Sequence, residues 1–207
     1  FLQRSGVEDE ERTRLLQMYG WSKGMFHALP VAETVEHGAI IDGRFEVFHA
    51  PGHCPGQICL RLDDVFLSAD HVLSRTSPHL APESITPGTG LEHYISALRA
   101  VSVIDGVRVA LGGHEDPIND LRGRSLALIA SHERKLERLL ELLKERPRTV
   151  AELTKAVHPS VDGYDVLLAL EQVGAHVEYL YLRGVIRPTN LDPGSDDTLA
   201  ALRYEIF

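Results

Sequence analysis

Residues 45–62 have the sequence FEVFHAPGHCPGQICLRL, in which two runs typical of β-strands flank a turn rich in proline and glycine. Pro51-Gly52 and Pro55-Gly56 enclose His53 at the centre of that turn. Because proline fixes φ and glycine adopts conformations closed to other residues, we expect a tight turn that brings backbone close to whatever His53 contacts. Taken alone, the turn predicts either a hairpin with an incidental histidine or a ligand site.

The composition is that of an acidic globular protein. Hydrophobic residues make up 43% of the 207 residues and charged residues 25%, which allows a sizeable core. The formal net charge of −9 argues against a protein that binds nucleic acid through general electrostatics. Eleven histidines direct attention to metal or acid–base chemistry.

Cysteine content and hydropathy predict a cytoplasmic protein that does not cross a membrane. The two cysteines, Cys54 and Cys59, are too few and too close in sequence for a disulfide framework, which fits a reducing compartment. No long apolar run and no signal-peptide pattern occurs. The sequence begins at Phe1 rather than at methionine, and its first residues look like the interior of a longer chain. We therefore expect further sequence upstream.

Short strands and two helices are predicted in the first 123 residues. The patterns predict helices at residues 8–20 and 91–104 and strands at 35–41, 44–48, 57–62, 65–68 and 107–111. Gly20 is expected to end the first helix. Residues 74–90 carry three prolines and predict a long irregular segment that lines a site, with His79 expected to be solvated.

From residue 124 onward the pattern changes to three helices and two strands. The helices are predicted at residues 125–145, 149–157 and 162–182, and Thr149 with Glu152 has the spacing of a capping box. Strands are predicted at 185–188 and 202–207, with a turn at Asp192. Three helices followed by a two-stranded wing is the order of a winged helix. We therefore predict two domains, residues 1–123 and 124–207.

Three potential metal ligands stand at the ends of predicted strands or turns. They are His53 in PGHCPG, Asp70 in LSADH and His114 in LGGHEDP. Residues so far apart in sequence form a site only if the fold brings strand ends together. Two imidazoles and a carboxylate suit Zn²⁺, Mn²⁺ or Fe²⁺, and a carboxylate can bridge two ions through its two oxygens.

At these residues the sequence resembles the metallo-β-lactamase superfamily over residues 31–120. The segments Arg148-Thr-Val-Ala-Glu-Leu and Tyr181-Leu-Arg-Gly-Val-Ile resemble the winged-helix extension of its lactamase-like hydrolases. The resemblance implies an α/β fold, the C-terminal half of an αββα sandwich followed by a winged-helix α+β domain. It also implies that His53 ligates one metal, that His114 ligates a second, and that Asp70 bridges the two. Two zinc ions are implied for the intact site, with manganese or iron as alternatives.

One motif of the superfamily is not found in this sequence. The run His-x-His-x-Asp-His normally precedes these motifs, whereas His27, His37 and His49 are isolated here. That run would supply three or more further ligands and the proton-handling aspartate, so no general acid or base is assigned. Glu115 stands where related proteins often carry glycine. Either this chain is the C-terminal part of a longer protein, or it is a relative that binds little or no metal.

The function that the resemblance implies is metal-dependent hydrolysis, in which activated water attacks an ester, thioester, lactone or phosphodiester of a small-molecule substrate. The chain alone is expected to be inactive, and its missing half or a second copy is expected to cover the exposed sheet face. The alternatives are a metal-free, inactive relative and a non-catalytic winged-helix binding module. Nucleic acid is not the expected partner, because residues 162–182 carry Asp165, Glu171 and Glu178 among their acidic side chains and no lysine or arginine.

Overall fold

A computed structural model describes residues 1–191 and 200–207 of the chain. The helices are α1 (Asp9–Lys23), α2 (Leu91–Ser102), α3 (Leu121–Glu145), α4 (Val150–Val157) and α5 (Asp165–Leu182). The strands are β1 (Ile40–Ile41), β2 (Phe45–His49), β3 (Ile58–Leu62), β4 (Val65–Ala69), β5 (Val109–Gly112), β6 (Ile186–Pro188) and β7 (Tyr204–Ile206). The predicted turn at Asp192 lies outside the described residues. No helix in the described part of the chain is long and apolar enough to span a membrane.

Two predicted boundaries are wrong. The first helix continues through Gly20 to Lys23, because glycine is tolerated inside a helix at a modest cost. The strand predicted at residues 35–41 is reduced to Ile40–Ile41, because the Ala39 N–H donates to the Glu36 carbonyl at 3.1 Å and closes a turn there. The remaining predicted helices and strands are confirmed within a few residues at each end.

The chain divides into two compact units, one of them the sheet unit, Glu33–Lys135. The other, the helical unit, combines Phe1–Ala32 with Leu136–Phe207. The return of the first residues to the C-terminal unit was not anticipated from the sequence. The domain bounds 1–123 and 124–207 stay a prediction.

The sheet unit contains a five-stranded sheet in the order β1-β2-β3-β4-β5. All neighbouring strands are antiparallel except β4 and β5, which are parallel. Parallel strands need a crossover, and α2 lies in the connection between these two. The parallel pair matters most for the site, because it places the carboxyl ends of β4 and β5 side by side.

Both faces of this sheet are apolar. Cys59, Phe66 and Ala110 are fully buried on one face. On the other face Leu60 pairs with Leu67, and Leu67 pairs with Leu111, which is 39% exposed. Strands that are apolar on both faces are typical of sheets covered on both sides. The face that carries Leu60, Leu67 and Leu111 is only partly buried.

The helical unit contains α4, α5 and the antiparallel pair β6–β7, in which Ile186 lies opposite Ile206. The predicted capping box begins α4: the Thr149 N–H donates to Glu152 Oε2 at 2.8 Å, and the Glu152 N–H donates to Thr149 Oγ1 at 3.1 Å. The N-terminal segment joins this unit through the Ala151 N–H, which donates to the Ser5 carbonyl at 2.8 Å. These elements follow the predicted winged-helix order, and the winged-helix assignment itself stays a prediction.

Replacing Thr149 by alanine should lower the free energy of unfolding by about 1 kcal/mol, because the first turn of α4 loses its cap. Thr13→Ala is the matched control: its hydroxyl donates to Asp9 within α1 and caps nothing, so stability should change by less than about 0.5 kcal/mol. Urea unfolding followed by circular dichroism measures both. Equal losses for the two variants would contradict the role given to the capping box.

Candidate metal centre

The turn at residues 51–56 is packed directly against the start of α2. Gly52 has φ +126°, and a Cβ built there would lie 2.5–2.6 Å from the backbone and Cβ of Tyr94. The Gly90 N–H donates to the Gly52 carbonyl at 3.0 Å. Both the conformation and the close approach require glycine at this position. The turn is therefore held in one place, and His53 with it.

The ring of His53 is oriented by a backbone carbonyl. Its Nδ1 lies 2.8 Å from the carbonyl oxygen of His79. A carbonyl oxygen only accepts, so Nδ1 carries the proton of this hydrogen bond. The other ring nitrogen, Nε2, lies 3.9 Å from Asp70 Oδ2. In the neutral ring, Nε2 then presents a lone pair on the side of Asp70.

Asp70 follows β4 directly and lies against the backbone that follows β5. The Gly113 N–H donates to the Ala69 carbonyl at 2.9 Å, which extends the parallel pairing beyond the strand ends. A Cβ at Gly113 would lie 2.3 Å from Asp70 Oδ1. Only glycine leaves room for the carboxylate at this place, so the GlyGly before His114 is a requirement of the site.

His114 completes the group. Its Nε2 lies 3.7 Å from Asp70 Oδ1, the carboxylate oxygen that does not face His53. The side chains of His53, Asp70 and His114 are 28%, 41% and 58% exposed, so an ion could reach all three from solvent. The structure thus brings the three predicted residues together around one carboxylate, although they are widely separated in sequence.

The spacing of the donors fits one ion for each imidazole–carboxylate pair better than one ion for all three. Two donors on a tetrahedral zinc ion lie roughly 3.4 Å apart, since each is about 2.1 Å from the metal. The observed 3.7 and 3.9 Å are a few tenths longer. Within residues 1–191 and 200–207, no group of three or more His, Cys, Asp or Glu side chains is arranged to hold a metal ion. Each pair uses a different oxygen of Asp70, as in a carboxylate shared by two ions.

Glu115, the residue that replaces the expected glycine, is bound by a neighbouring loop. Its φ of +74° is the left-handed conformation that favours glycine. Its carboxylate accepts from the Arg75 N–H at 2.6 Å and from Thr76 Oγ1 at 2.7 Å. Hydrogen bonds from the Thr76 hydroxyl and the Arg75 backbone lower the pKa of Glu115 to about 2. These bonds offset the backbone strain and link the residue after His114 to residues 75 and 76.

Tyr94 and two histidines form a buried cluster beside the site. The His71 and His132 rings contact the Tyr94 ring edge-on, with centroids 5.1 and 5.4 Å away. Burial lowers the pKa of His71 to about 4, and the Ala97 backbone only partly opposes that shift. The Tyr94 hydroxyl donates to the His71 carbonyl at 3.0 Å, and burial raises the pKa of Tyr94. All three rings are fully buried, so they support the fold.

The two cysteines are unsuited to nucleophilic chemistry. Burial raises the pKa of Cys54, and it raises the pKa of the fully buried Cys59 to about 12. Thiols of this kind carry little thiolate near neutral pH. Cys54 adjoins His53 in sequence, and its half-buried thiol donates to Gln57 Oε1 at 3.8 Å.

Comparison with known proteins shows which solved structures share this fold. No family model matches the sequence, and no curated protein matches it. Solved structures do match. A metallo-beta-lactamase family protein from Thermus thermophilus is 25% identical with a TM-score of 0.76, over 100% of this chain and 62% of that one. A beta-lactamase domain protein from Burkholderia ambifaria is 23% identical with a TM-score of 0.83, over 99% and 60%.

These comparisons define a class of fold. The chain has a mixed α/β fold that matches metallo-β-lactamase-like proteins, which confirms the coarse prediction from the sequence motifs. The chain spans about three fifths of the length of the two solved structures.

Gly52→Ala should destabilise the sheet unit by about 2 kcal/mol or more, because it combines a disfavoured φ with a clash against the Tyr94 backbone. Gly56→Ala in the same turn is the matched control, since nothing lies within 4 Å of its added Cβ and its φ is not positive. Thermal unfolding of the two variants measures the difference. A Gly52→Ala protein as stable as Gly56→Ala would show that the turn does not pack as described.

Proposed function

We propose that this chain supplies one side of a dinuclear metal centre in a metal-dependent hydrolase. His53 holds one ion, His114 holds the other, and Asp70 is shared between them. The observation that carries the proposal is a single carboxylate whose two oxygens face two different imidazoles, at 3.9 and 3.7 Å. The likeness to a protein described as a metallo-beta-lactamase family protein supports the same class of chemistry. Zinc is the proposed metal, and manganese or iron suits the same donors.

The electrostatics between His53 and Asp70 favour a cation between them. When the neutral His53 ring carries its proton on Nδ1, the lone pair of Nε2 lies on the side of the Asp70 carboxylate. The lone pair and the negative charge then repel each other. A direct hydrogen bond from a protonated Nε2 would measure about 2.7–3.2 Å, shorter than the 3.9 Å that separates the atoms. A divalent ion bound to both atoms removes the repulsion at a separation close to the observed one.

A divalent ion in such a site lowers the pKa of water towards roughly 7 and polarises a substrate oxygen. The residues of this chain contribute binding and orientation: two imidazoles and one carboxylate hold the ions, and Gly113 leaves room for the carboxylate. The proposed substrate is a small molecule with an ester, thioester, lactone or phosphodiester group. Hydrolysis is proposed for the intact protein, and this chain alone is proposed to be inactive.

The donor set described here is incomplete for that chemistry. Each proposed ion has two donors from this chain, whereas a tetrahedral zinc ion takes about four. We propose that the others come from polypeptide outside this sequence, and that the same polypeptide, or else a second copy, covers the sheet face carrying Leu60, Leu67 and Leu111. The sheet unit would then be the C-terminal half of an αββα sandwich. The length of the matching structures is in keeping with this proposal.

The C-terminal region, residues 124–207, is proposed to be a winged-helix domain of a cytoplasmic protein. Its helix α5 does not favour binding to nucleic acid. Helix α5 buries nine of its residues and carries neither lysine nor arginine, so it lacks the basic exposed face of a recognition helix. These features fit a structural role of this domain in the hydrolase better than they fit binding to nucleic acid.

Zinc binding by equilibrium dialysis tests the proposal on the chain as it exists. With only two protein donors for each ion, the wild-type chain should bind about two zinc ions weakly, and His53→Ala and His114→Ala about one each, since each imidazole serves one ion. Asp70→Asn should bind almost none, because the neutral amide keeps the size of the side chain but removes the charge shared by both sites. His27→Ala, an exposed histidine away from these residues in sequence, is the matched control and should bind as the wild type does.

Two outcomes would overturn this assignment. One is an Asp70→Asn chain that binds as much zinc as the wild type. The other is a His27→Ala chain that loses as much zinc as His53→Ala, which would indicate nonspecific binding to surface histidines.

A further inference from the structure

The segment of residues 74–90, here called the 74–90 loop, contacts both turns that carry the candidate imidazoles. At one end it binds Glu115, the neighbour of His114, through the Arg75 N–H and the Thr76 hydroxyl. Further along, the carbonyl of His79 accepts from Nδ1 of His53 at 2.8 Å. One loop therefore makes polar contacts with each half of the candidate site.

The carbonyl of His79 is held firmly in place. Pro78 and Leu80, the residues on either side, are both buried, and Leu80 is 0% exposed. The ring of Pro78 also fixes its own φ. A peptide anchored on both sides has little freedom to turn its carbonyl oxygen away from His53.

The rest of the loop is held by a hydrogen bond within it and by contacts with α2 and α3. Thr89 Oγ1 donates to the Thr86 carbonyl at 2.7 Å, and His93 Nε2 lies 2.9 Å from Glu83 Oε1. Where the loop begins, the guanidinium of Arg124 donates to the Thr76 carbonyl at 2.8 Å. An irregular segment held by hydrogen bonds at several points can act as a rigid support.

We propose that the 74–90 loop is a positioning element that fixes the tautomer of His53. A neutral imidazole carries its proton on either nitrogen, and the hydrogen bond made by one nitrogen decides which. The His79 carbonyl holds the proton on Nδ1, which leaves the Nε2 lone pair on the side of Asp70. Partners of this kind orient metal-binding histidines and raise their basicity. The importance of the tautomer for metal binding rests on the proposed function, whereas the tautomer itself exists without metal.

Nitrogen NMR of the metal-free chain tests the tautomer directly. At about pH 8, above the usual titration range of imidazole, two-bond correlations distinguish a protonated Nδ1 from a protonated Nε2. His53→Ala assigns the resonances. The expected result is one dominant form of His53 with the proton on Nδ1. A dominant Nε2–H form, or equal amounts of both, would overturn the proposal.

A pair of leucine variants tests whether the 74–90 loop fixes the tautomer of His53. Leu80→Ala removes the buried anchor beside His79, and Leu98→Ala removes an equally buried leucine from α2. Both should lose stability to a similar degree. Only Leu80→Ala should show mixed tautomers of His53 and a zinc affinity lower by about 10- to 100-fold. If Leu80→Ala does not fold, Pro78→Ala frees the same peptide and gives the same comparison.

The outcomes separate this inference from the proposed function. A wild-type chain with the Nδ1–H tautomer that binds no zinc would overturn the proposed function and leave the positioning role intact. Zinc binding by a chain in which His53 is not the Nδ1–H tautomer would overturn the positioning role alone. The positioning role would also be overturned if Leu80→Ala and Pro78→Ala both kept the wild-type tautomer of His53 and the wild-type zinc affinity.

Discussion

The parallel pairing of β4 with β5 is the constraint on which the candidate site depends. It places Asp70, which follows one strand, against Gly113, which follows the other, and the missing Cβ of that glycine leaves the space that the carboxylate occupies. His114 is the next residue, so the same pairing brings its imidazole to one oxygen of Asp70. A larger residue at position 113 would displace the carboxylate from both histidines at once. The backbone pairing of β4 with β5 therefore determines where the side chains of Asp70 and His114 lie.

The position of His53 depends on tightly packed irregular segments. The turn that carries His53 lies against α2 because Gly52 allows backbone contact with Tyr94. The 74–90 loop then contacts this turn through a carbonyl and contacts the other turn through Glu115. Glu115 shows how a departure from a familiar motif can be accommodated, since a residue in a conformation suited to glycine has its strain offset by hydrogen bonds to its carboxylate. Strand ends and loops therefore act together to hold one carboxylate between two imidazoles.

Much of this could be predicted from the sequence, because the relevant features are local. Runs of apolar residues predict β3 and β4, and the Thr149–Glu152 spacing predicts the start of α4. The three candidate ligands were recognisable because each follows a strand or lies in a proline-glycine turn. Residues 74–90 were expected to line a site, but their contact with His53 was not predictable. His79 was expected to be solvated, and the group that contacts His53 is its backbone carbonyl, which has no counterpart in the sequence pattern. The partners of Glu115 were hidden for a similar reason, since they depend on where the loop returns in space.

Anomalous diffraction from zinc-soaked crystals would reveal whether Asp70 is shared between two metal ions. Data collected on both sides of the zinc absorption edge would locate bound zinc without reference to any expected site. If Asp70 is shared, two anomalous peaks are expected, each about 2.1 Å from a different oxygen of Asp70, one beside His53 and one beside His114. An absence of zinc at Asp70 in crystals that bind it elsewhere, or one ion held by all three residues, would show that Asp70 is not shared between two ions.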